Sequence, residues 1–269
     1  MKFFILPPAQ ILTKYIRGYV FMEFYNELPQ RKCSIPVGFP VMGICMENTP
    51  ILLTSEYQKQ KTQNMLCGII ETPLILTNQG FFKSVMVVFQ PLGVAQLFGI
   101  PQSLLLNRMV PLENLSLIKK YHLVEKIMES SGVKTIKELL DDFFYHGLIN
   151  QKYTVNEIEY VVNKIYQYNG SLKIEALLAD LDISLRTFER RFKQEIGFTP
   201  KKYLCQVRLQ KLLKNLSLNP KIDIQDQIHQ LGFYDQSHLI HNLKDSLGTS
   251  YKKIEPEFRE YLKVFSPLL

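Results

Sequence analysis

The chain has no histidine before His122, and that absence removes a class of chemistry from its N-terminal half. A β-rich domain that works as a metal enzyme usually holds its ion through two or three histidines and a carboxylate. The four cysteines, Cys33, Cys45, Cys67 and Cys205, contain no C-x-x-C pair and are too scattered to stand in. They read as buried free thiols of a reducing compartment. No Gly-rich phosphate loop is present, and no Ser-His-Asp or Cys-His arrangement suggests itself. No catalytic residue, metal ligand or cofactor is therefore expected, and the chain is not read as an enzyme. No apolar run approaches the length needed to span a bilayer. The start, Met1-Lys2-Phe3-Phe4-Ile5-Leu6, resembles a signal peptide, but Pro7-Pro8 cuts its apolar run too short. A soluble, cytoplasmic protein without a membrane partner is the expectation.

What is there is ample apolar material and an excess of positive charge. At 269 residues, 46% hydrophobic and 21% charged, the chain can form two domains, each with its own core. The net charge of +7 suits a polyanionic partner, but where the charge lies says more than its total. Residues 184–202 carry Arg186, Arg190, Arg191, Lys193, Lys201 and Lys202 against only Glu189 and Glu195. Charge alone leaves this open between a solvated helix face and a nucleic-acid surface.

Short apolar or alternating segments fill residues 15–90: Tyr19 to Tyr25, Gly38 to Met46, Pro50 to Tyr57, Met65 to Ile70, Leu74 to Thr77 and Val85 to Phe89. Pro29, Pro36, Pro50, Pro73 and Asn78-Gln79-Gly80 break them up, as in a β-barrel or sandwich. Val41 to Cys45 and Val85 to Phe89 are apolar throughout, so they are expected to be central. Phe21, Phe24, Tyr25, Phe39, Phe81, Phe82 and Phe89 either line an apolar pocket or are simply core. At Pro91-Leu92-Gly93 the period turns helical. One helix holds Val94, Leu97 and Phe98, a second runs from a Ser116 cap through Met128, and a third spans 133–148. The polar run Asn150-Gln151-Lys152 marks a boundary, and from Val155 everything reads as helix. Asn169-Gly170-Ser171 stops the first of these helices. The expected fold is α+β in two domains. Residues 1–150 form a cupin-like β-barrel or sandwich with flanking helices, and 151–269 form an all-α unit.

Within that unit a pattern recurs. Phe192-Lys193-Gln194-Glu195-Ile196-Gly197-Phe198-Thr199 returns as Leu243-Lys244-Asp245-Ser246-Leu247-Gly248-Thr249-Ser250, glycine to glycine 51 residues apart. Upstream of each lies a short apolar helix, with Ile174, Leu178 and Leu181 in the first and Ile224, Ile228 and Leu231 in the second. Two short helices with a tight turn, used twice, can place two reading helices on one duplex.

In the first unit Ile174, Leu177, Leu178 and Leu181 form one helical stripe. Asp182-Ile183 makes the turn and Ser184 offers an N-cap. Leu185, Phe188, Phe192 and Ile196 are expected inside. Arg186, Thr187, Glu189, Arg190 and Lys193 are expected outside. There an arginine can donate two hydrogen bonds to guanine, and a threonine methyl can meet a thymine methyl. Lys193, Lys201 and Lys202 suit phosphates, which position without specifying.

The run Leu177-Leu178-Ala179-Asp180-Leu181-Asp182-Ile183-Ser184-Leu185-Arg186-Thr187-Phe188-Glu189-Arg190-Arg191-Phe192-Lys193 resembles the first helix-turn-helix of the AraC/XylS family of bacterial transcription regulators. So do Gly197-Phe198-Thr199-Pro200-Lys201-Lys202-Tyr203 with Arg208-Leu209, and Leu231-Gly232-Phe233-Tyr234-Asp235-Gln236-Ser237-His238-Leu239-Ile240 with Lys244. The resemblance covers roughly residues 155–256. It implies two helix-turn-helix units joined by a long helix, about Pro200 to Leu216, with reading helices about 184–196 and 235–247 in adjacent major grooves. Carried onto this sequence, Arg186, Thr187, Glu189, Arg190 and Lys193 face DNA in the first unit. Gln236, Ser237, His238, His241 and Lys244 do so in the second. The chain departs from the family at Leu178 and Ile228, where alanine is usual, and at Gln227, where isoleucine is usual. It departs again at His241 for arginine and Tyr251 for proline. The second unit is therefore expected to supply phosphate contacts and shape more than base readout. His238 and His241 lack a third ligand nearby and are not read as a metal site.

The N-terminal half also resembles an uncharacterised domain in one branch of that family. It does so through Pro7-Pro8, Tyr15-Ile16-Arg17-Gly18-Tyr19, Phe89-Gln90-Pro91-Leu92-Gly93, Leu97-Phe98-Gly99-Ile100-Pro101 and Val110-Pro111-Leu112-Glu113. This implies a β-rich regulatory domain that senses a small molecule or mediates dimerisation. The expected function is a sequence-specific DNA-binding transcription regulator, of activator type. Its partners would be double-stranded promoter DNA, a small-molecule effector, a second copy of itself and RNA polymerase. The alternative is a small-molecule-binding or catalytic protein whose helical half has lost DNA binding.

Overall fold

The computed structural model describes residues 2–34, 38–49, 51–52, 63–149, 157–219, 224–233, 237, 239, 244 and 264–269. The N-terminal part is one antiparallel sheet in which long strands do most of the pairing. β1 (Lys2–Leu6), β2 (Ile16–Ser34), β3 (Val41–Glu47), β5 (Met65–Cys67), β6 (Leu74–Phe89) and β7 (Met109–Pro111) take the order β1-β2-β6-β3-β5-β7. The short β4 (Ile51–Leu52) pairs with β6. Among the described residues the sheet is open, with β1 and β7 as its edges, and does not close into a barrel.

β2 and β6 run straight through signals that read as breaks. Pro29 and the Asn78-Gln79-Gly80 run lie side by side, where the pairing shifts register between Asn26 and Gln30. A bulge absorbs both: proline has no N–H to give the ladder, and Gly80 takes φ +82°. The Asn26 amide donates to Asn78 Oδ1 (2.7 Å) across it.

Alternation along the central strands fills both faces. Tyr19, Phe21, Met42, Ile44, Val85, Val87 and Phe89 form a core with the helices α1 (Gly93–Phe98), α2 (Ser116–Tyr121), α3 (Leu123–Glu129) and α4 (Val133–Ile149). α2 and α3 replace the single helix expected from Ser116 to Met128. His122, in the left-handed region at φ 50°, breaks it, and Leu115 rather than Ser116 sits at the N-cap. Val20, Val88 and Phe39 on the opposite face pack against Val264, Phe265 and Leu268, so the chain's last described residues cover the sheet. Burial on both faces is why these strands read as continuous apolar runs.

The helical half comprises α5 (Glu157–Gln167), α6 (Ile174–Leu178), α7 (Leu185–Ile196), α8 (Pro200–Leu218) and α9 (Ile224–Leu231). One apolar cluster joins Ile158, Val161 and Ile165 of α5 to Leu177, Phe188, Phe192, Ile196, Tyr203, Leu204 and Val207. Ile69 and Leu92 of the N-terminal part belong to the same cluster. The two halves therefore share apolar surface.

A polar cluster reinforces this junction. Glu71 lies on Lys202 of α8, and Asn107 both donates to its carboxylate (2.6 Å) and accepts from its N–H (2.8 Å). Burial pushes the Glu71 carboxyl up, but donation from Lys202 and Asn107 outweighs it and holds the group below its ordinary value. A depressed carboxylate stabilises the junction above the unfolded pKa, and that contribution is lost as pH falls through the folded one. Denaturation midpoints of wild type and Glu71→Gln should therefore differ near neutrality and converge as pH falls below the ordinary carboxylate range. A constant gap across that fall would show that Glu71 does not carry the coupling.

Candidate nucleic-acid interface

The first helix-turn-helix is built as its sequence dictates. Ser184 Oγ accepts from the Thr187 N–H (3.3 Å) and donates to Thr187 Oγ1 (3.0 Å), capping α7. Gly197, at φ 90°, closes the other end and donates its N–H to the Lys193 carbonyl. Thr199 then caps α8, with Pro200 in its first turn.

At about 100° per residue, Phe188, Phe192 and Ile196 span one narrow stripe of α7. All three are fully buried. Arg186, Glu189, Arg190 and Lys193 share a second arc about 100° wide, centred about 110° round the helix from the stripe, and all four are exposed. Thr187 sits on the flank, half-buried, with its hydroxyl engaged by the Ser184 cap. Leu185 does not join the buried stripe and is 49% exposed. By angle it falls within the stripe, but it is the first residue of the helix and is left at the solvent edge. The neighbouring arginines part company: Arg191 donates to Glu157 of α5 (3.1 Å), whereas Arg190 points outward. Lys202, expected at a phosphate, is instead paired with Glu71, while Lys201 is exposed.

The linking helix α8 has 19 residues, or about 28 Å at the α-helical rise. At its far end Asn215 donates to Gln227 Oε1 (2.6 Å) of α9. Gln227, where the resembled family usually has isoleucine, is buried, and Asn215 supplies the partner its amide needs. Arg208 donates to the Gly232 carbonyl (2.8 Å) and lies 5.3 Å from the Phe233 ring centroid. Ile228, Leu231 and Phe233 are buried, as the repeat requires. In the second reading segment Ser237 and Lys244 are helical and exposed, and Leu239 is helical and buried. Gln236, His238 and His241 lie outside the described residues, as does Tyr251.

Elsewhere, Cys45 is buried, Cys67 and Cys205 are partly buried, and none of the three is in a disulfide. Burial pushes the Cys45 thiol up to about 11. Phe21, Phe39, Phe82 and Phe89 are core, whereas Tyr25 is exposed. A cavity of about 240 Å³ opens between the sheet and the start of α4, lined by Phe4, Phe21, Met46, Lys83, Val133 and Ile136 among others. Of the aromatic residues weighed from sequence as pocket-forming, only Phe21 lines it. No described helix is long and apolar enough to cross a membrane.

A capped reading helix with its apolar side packed on a scaffold, and a second scaffold helix at the end of a long linker, define a helix-turn-helix protein. Comparison with known proteins makes the class more particular. Residues 177–254 match the family model described as a helix-turn-helix domain. Residues 5–111 match a domain of unknown function, DUF6597. The chain is 34% identical over 64 residues to the HTH-type transcriptional activator RhaS of Escherichia coli (strain SE11), covering 24% of this chain and 23% of that one. The figures are the same for RhaS of Shigella boydii serotype 18. The chain thus matches about a quarter of the length of these curated relatives. Among solved structures, ToxT from Vibrio cholerae O395 bound to (E)-4-(8-methylnaphthalen-1-yl)but-3-enoic acid is similar at a TM-score of 0.48 and 10% identity. That match covers 91% of this chain and 97% of ToxT. The helix-turn-helix region, residues 177–254, is thus similar to that of AraC-type regulators.

Proposed function

We propose that the protein is a sequence-specific DNA-binding transcription regulator, with residues 151–269 as the DNA-binding part and 1–150 as the regulatory part. One observation carries this reading: α7 turns Arg186, Glu189, Arg190 and Lys193 to solvent while its aromatic side is locked in the core. A charged arc of that width, presented from a capped N-terminal end, fits the major groove. Arg186 and Arg190 read base edges, Thr187 and Glu189 border them, and Lys193 holds phosphate. Gln236, Ser237, His238, His241 and Lys244 form the second contact, one duplex turn along. The RhaS relatives are transcriptional activators, which supports activation, with RNA polymerase as a partner in the cytoplasm. The cavity beside α4 is where a small-molecule effector would bind, and the exposed parts of the sheet supply the surface for a second copy.

The test is a gel-shift titration of the protein against a pool of genomic fragments at near-physiological salt. Selective retardation of a small subset is expected, with affinity falling steeply as salt rises, because phosphate contacts release counterions. Uniform retardation of every fragment would leave only an architectural role. No retardation even at low salt would leave the reading without support.

A further inference from the structure

The apolar stripe of α7 fixes how deep the reading helix sits, but a stripe that narrow leaves its tilt weakly determined. Two polar ties from one side of α5 supply what the stripe does not. Near the start of α5, Glu157 accepts from Arg191 in the middle of α7. Further along, Tyr160 and Lys164 reach the turn that precedes α7. The Tyr160 hydroxyl (2.7 Å) and the Lys164 ammonium (2.6 Å) both donate to Asp180 Oδ2. Lys164 also donates to the Ala176 carbonyl of α6 (3.0 Å), and its ammonium lies 5.8 Å from the Tyr160 ring centroid. Glu157, Tyr160 and Lys164 stand at i, i+3 and i+7, so they share one face of α5.

We infer that Asp180, clamped by Tyr160 and Lys164, is a positioning residue that sets the angle at which α7 meets DNA, and so governs base selectivity without touching a base. The inference rests on the regulator reading above. Donation from Lys164 first, and then from Tyr160, holds the Asp180 carboxyl below its ordinary value. An ion pair whose carboxylate is half exposed adds little to stability. Losing one should leave the fold intact and move only what depends on orientation. Base-edge hydrogen bonds depend on orientation closely, whereas phosphate contacts tolerate small rotations.

The experiment uses the full chain and a duplex that wild type recovers from the genomic pool, with a scrambled duplex of equal length as reference. Lys164→Met is expected to lower the ratio of the two affinities about tenfold, the scale of one bidentate base contact. Its melting temperature and the salt dependence on scrambled DNA should stay as in wild type. Lys164→Arg, which keeps charge and donors, should hold the ratio within about twofold, and Asp180→Ala should repeat the loss. An unchanged ratio in Lys164→Met overturns the inference. So does a loss of melting temperature together with all DNA binding, because the cluster would then be merely structural. Should wild type itself show no selectivity, it is the regulator reading that fails.

Discussion

Arg190→Ala should reduce affinity for the selected duplex about 10- to 100-fold and leave affinity for random duplex nearly unchanged. The range is that of one bidentate arginine–guanine contact, about 1–3 kcal/mol. The fold should survive, because Arg190 stands on the exposed arc of α7 and the core beneath it is made by Phe188, Phe192 and Ile196. Its neighbour provides an internal control. Arg191 donates to Glu157 and faces α5, so Arg191→Ala should act through the helix's mooring, with a smaller and less base-specific loss. Lys193→Ala should weaken binding to all sequences alike and lower the salt slope by about one phosphate contact. Three basic residues within one helical turn would then show three different signatures. Footprinting and competition titrations with variant duplexes separate them, and an Arg190→Ala protein that still discriminated as wild type does would remove α7 from the groove.

How much of this was readable in advance depended on whether a signal was local. Ser184, Gly197, Thr199 and the period of α7 are local, and each element they bound appears where the sequence places it. The long helix from Pro200 was likewise legible, ending at Leu218 rather than Leu216. What failed was where a local cue met a longer-range partner. Pro29 and Asn78-Gln79-Gly80 each look like a turn alone. Opposite one another they make a bulge that lets β2 and β6 continue. β1 was read only as a truncated leader, because its strand character comes from pairing with β2 along Lys2–Leu6. Arg190 and Arg191 are indistinguishable by composition, and only the placement of Glu157 separates them. Lys202 looked like a phosphate ligand because Glu71 is 131 residues away. The Tyr160–Lys164–Asp180 clamp was invisible for the same reason: no spacing rule links α5 to a turn beyond the next helix.

The shared core gives those long-range partners a consequence. Ile69 and Leu92 of the N-terminal part pack in the cluster that seats α7, so this helix is moored to the N-terminal part. A ligand can use that mooring only by binding one arrangement of the two halves more tightly than another. Glu71 and Lys202 provide a charged contact whose strength such a change would alter.

Gly170→Ala is expected to be among the most damaging single substitutions outside the large apolar side chains, with loss of several kcal/mol. Gly170 ends α5 at φ 73°, and its N–H reaches back to the Ile165 carbonyl (2.9 Å). A left-handed conformation costs an L-residue about 1–2 kcal/mol. Contact adds to that: a Cβ here would lie 2.4 Å from the Leu204 carbonyl oxygen of α8, a backbone atom held in a helix. Either α5 or α8 must move, and both frame the cluster around Phe192. Gly132 separates the two effects. It too has a positive φ, 94°, but a Cβ there meets nothing within 4 Å. Gly132→Ala should therefore show the conformational penalty alone, about 1–2 kcal/mol. Urea unfolding of the two variants isolates the contact part as their difference. Gly170→Ala should also lose DNA binding, specific and non-specific together, whereas Gly132→Ala should keep both. If the two glycine variants prove equally stable, α5 and α8 are not packed as closely as Gly170 and Leu204 require.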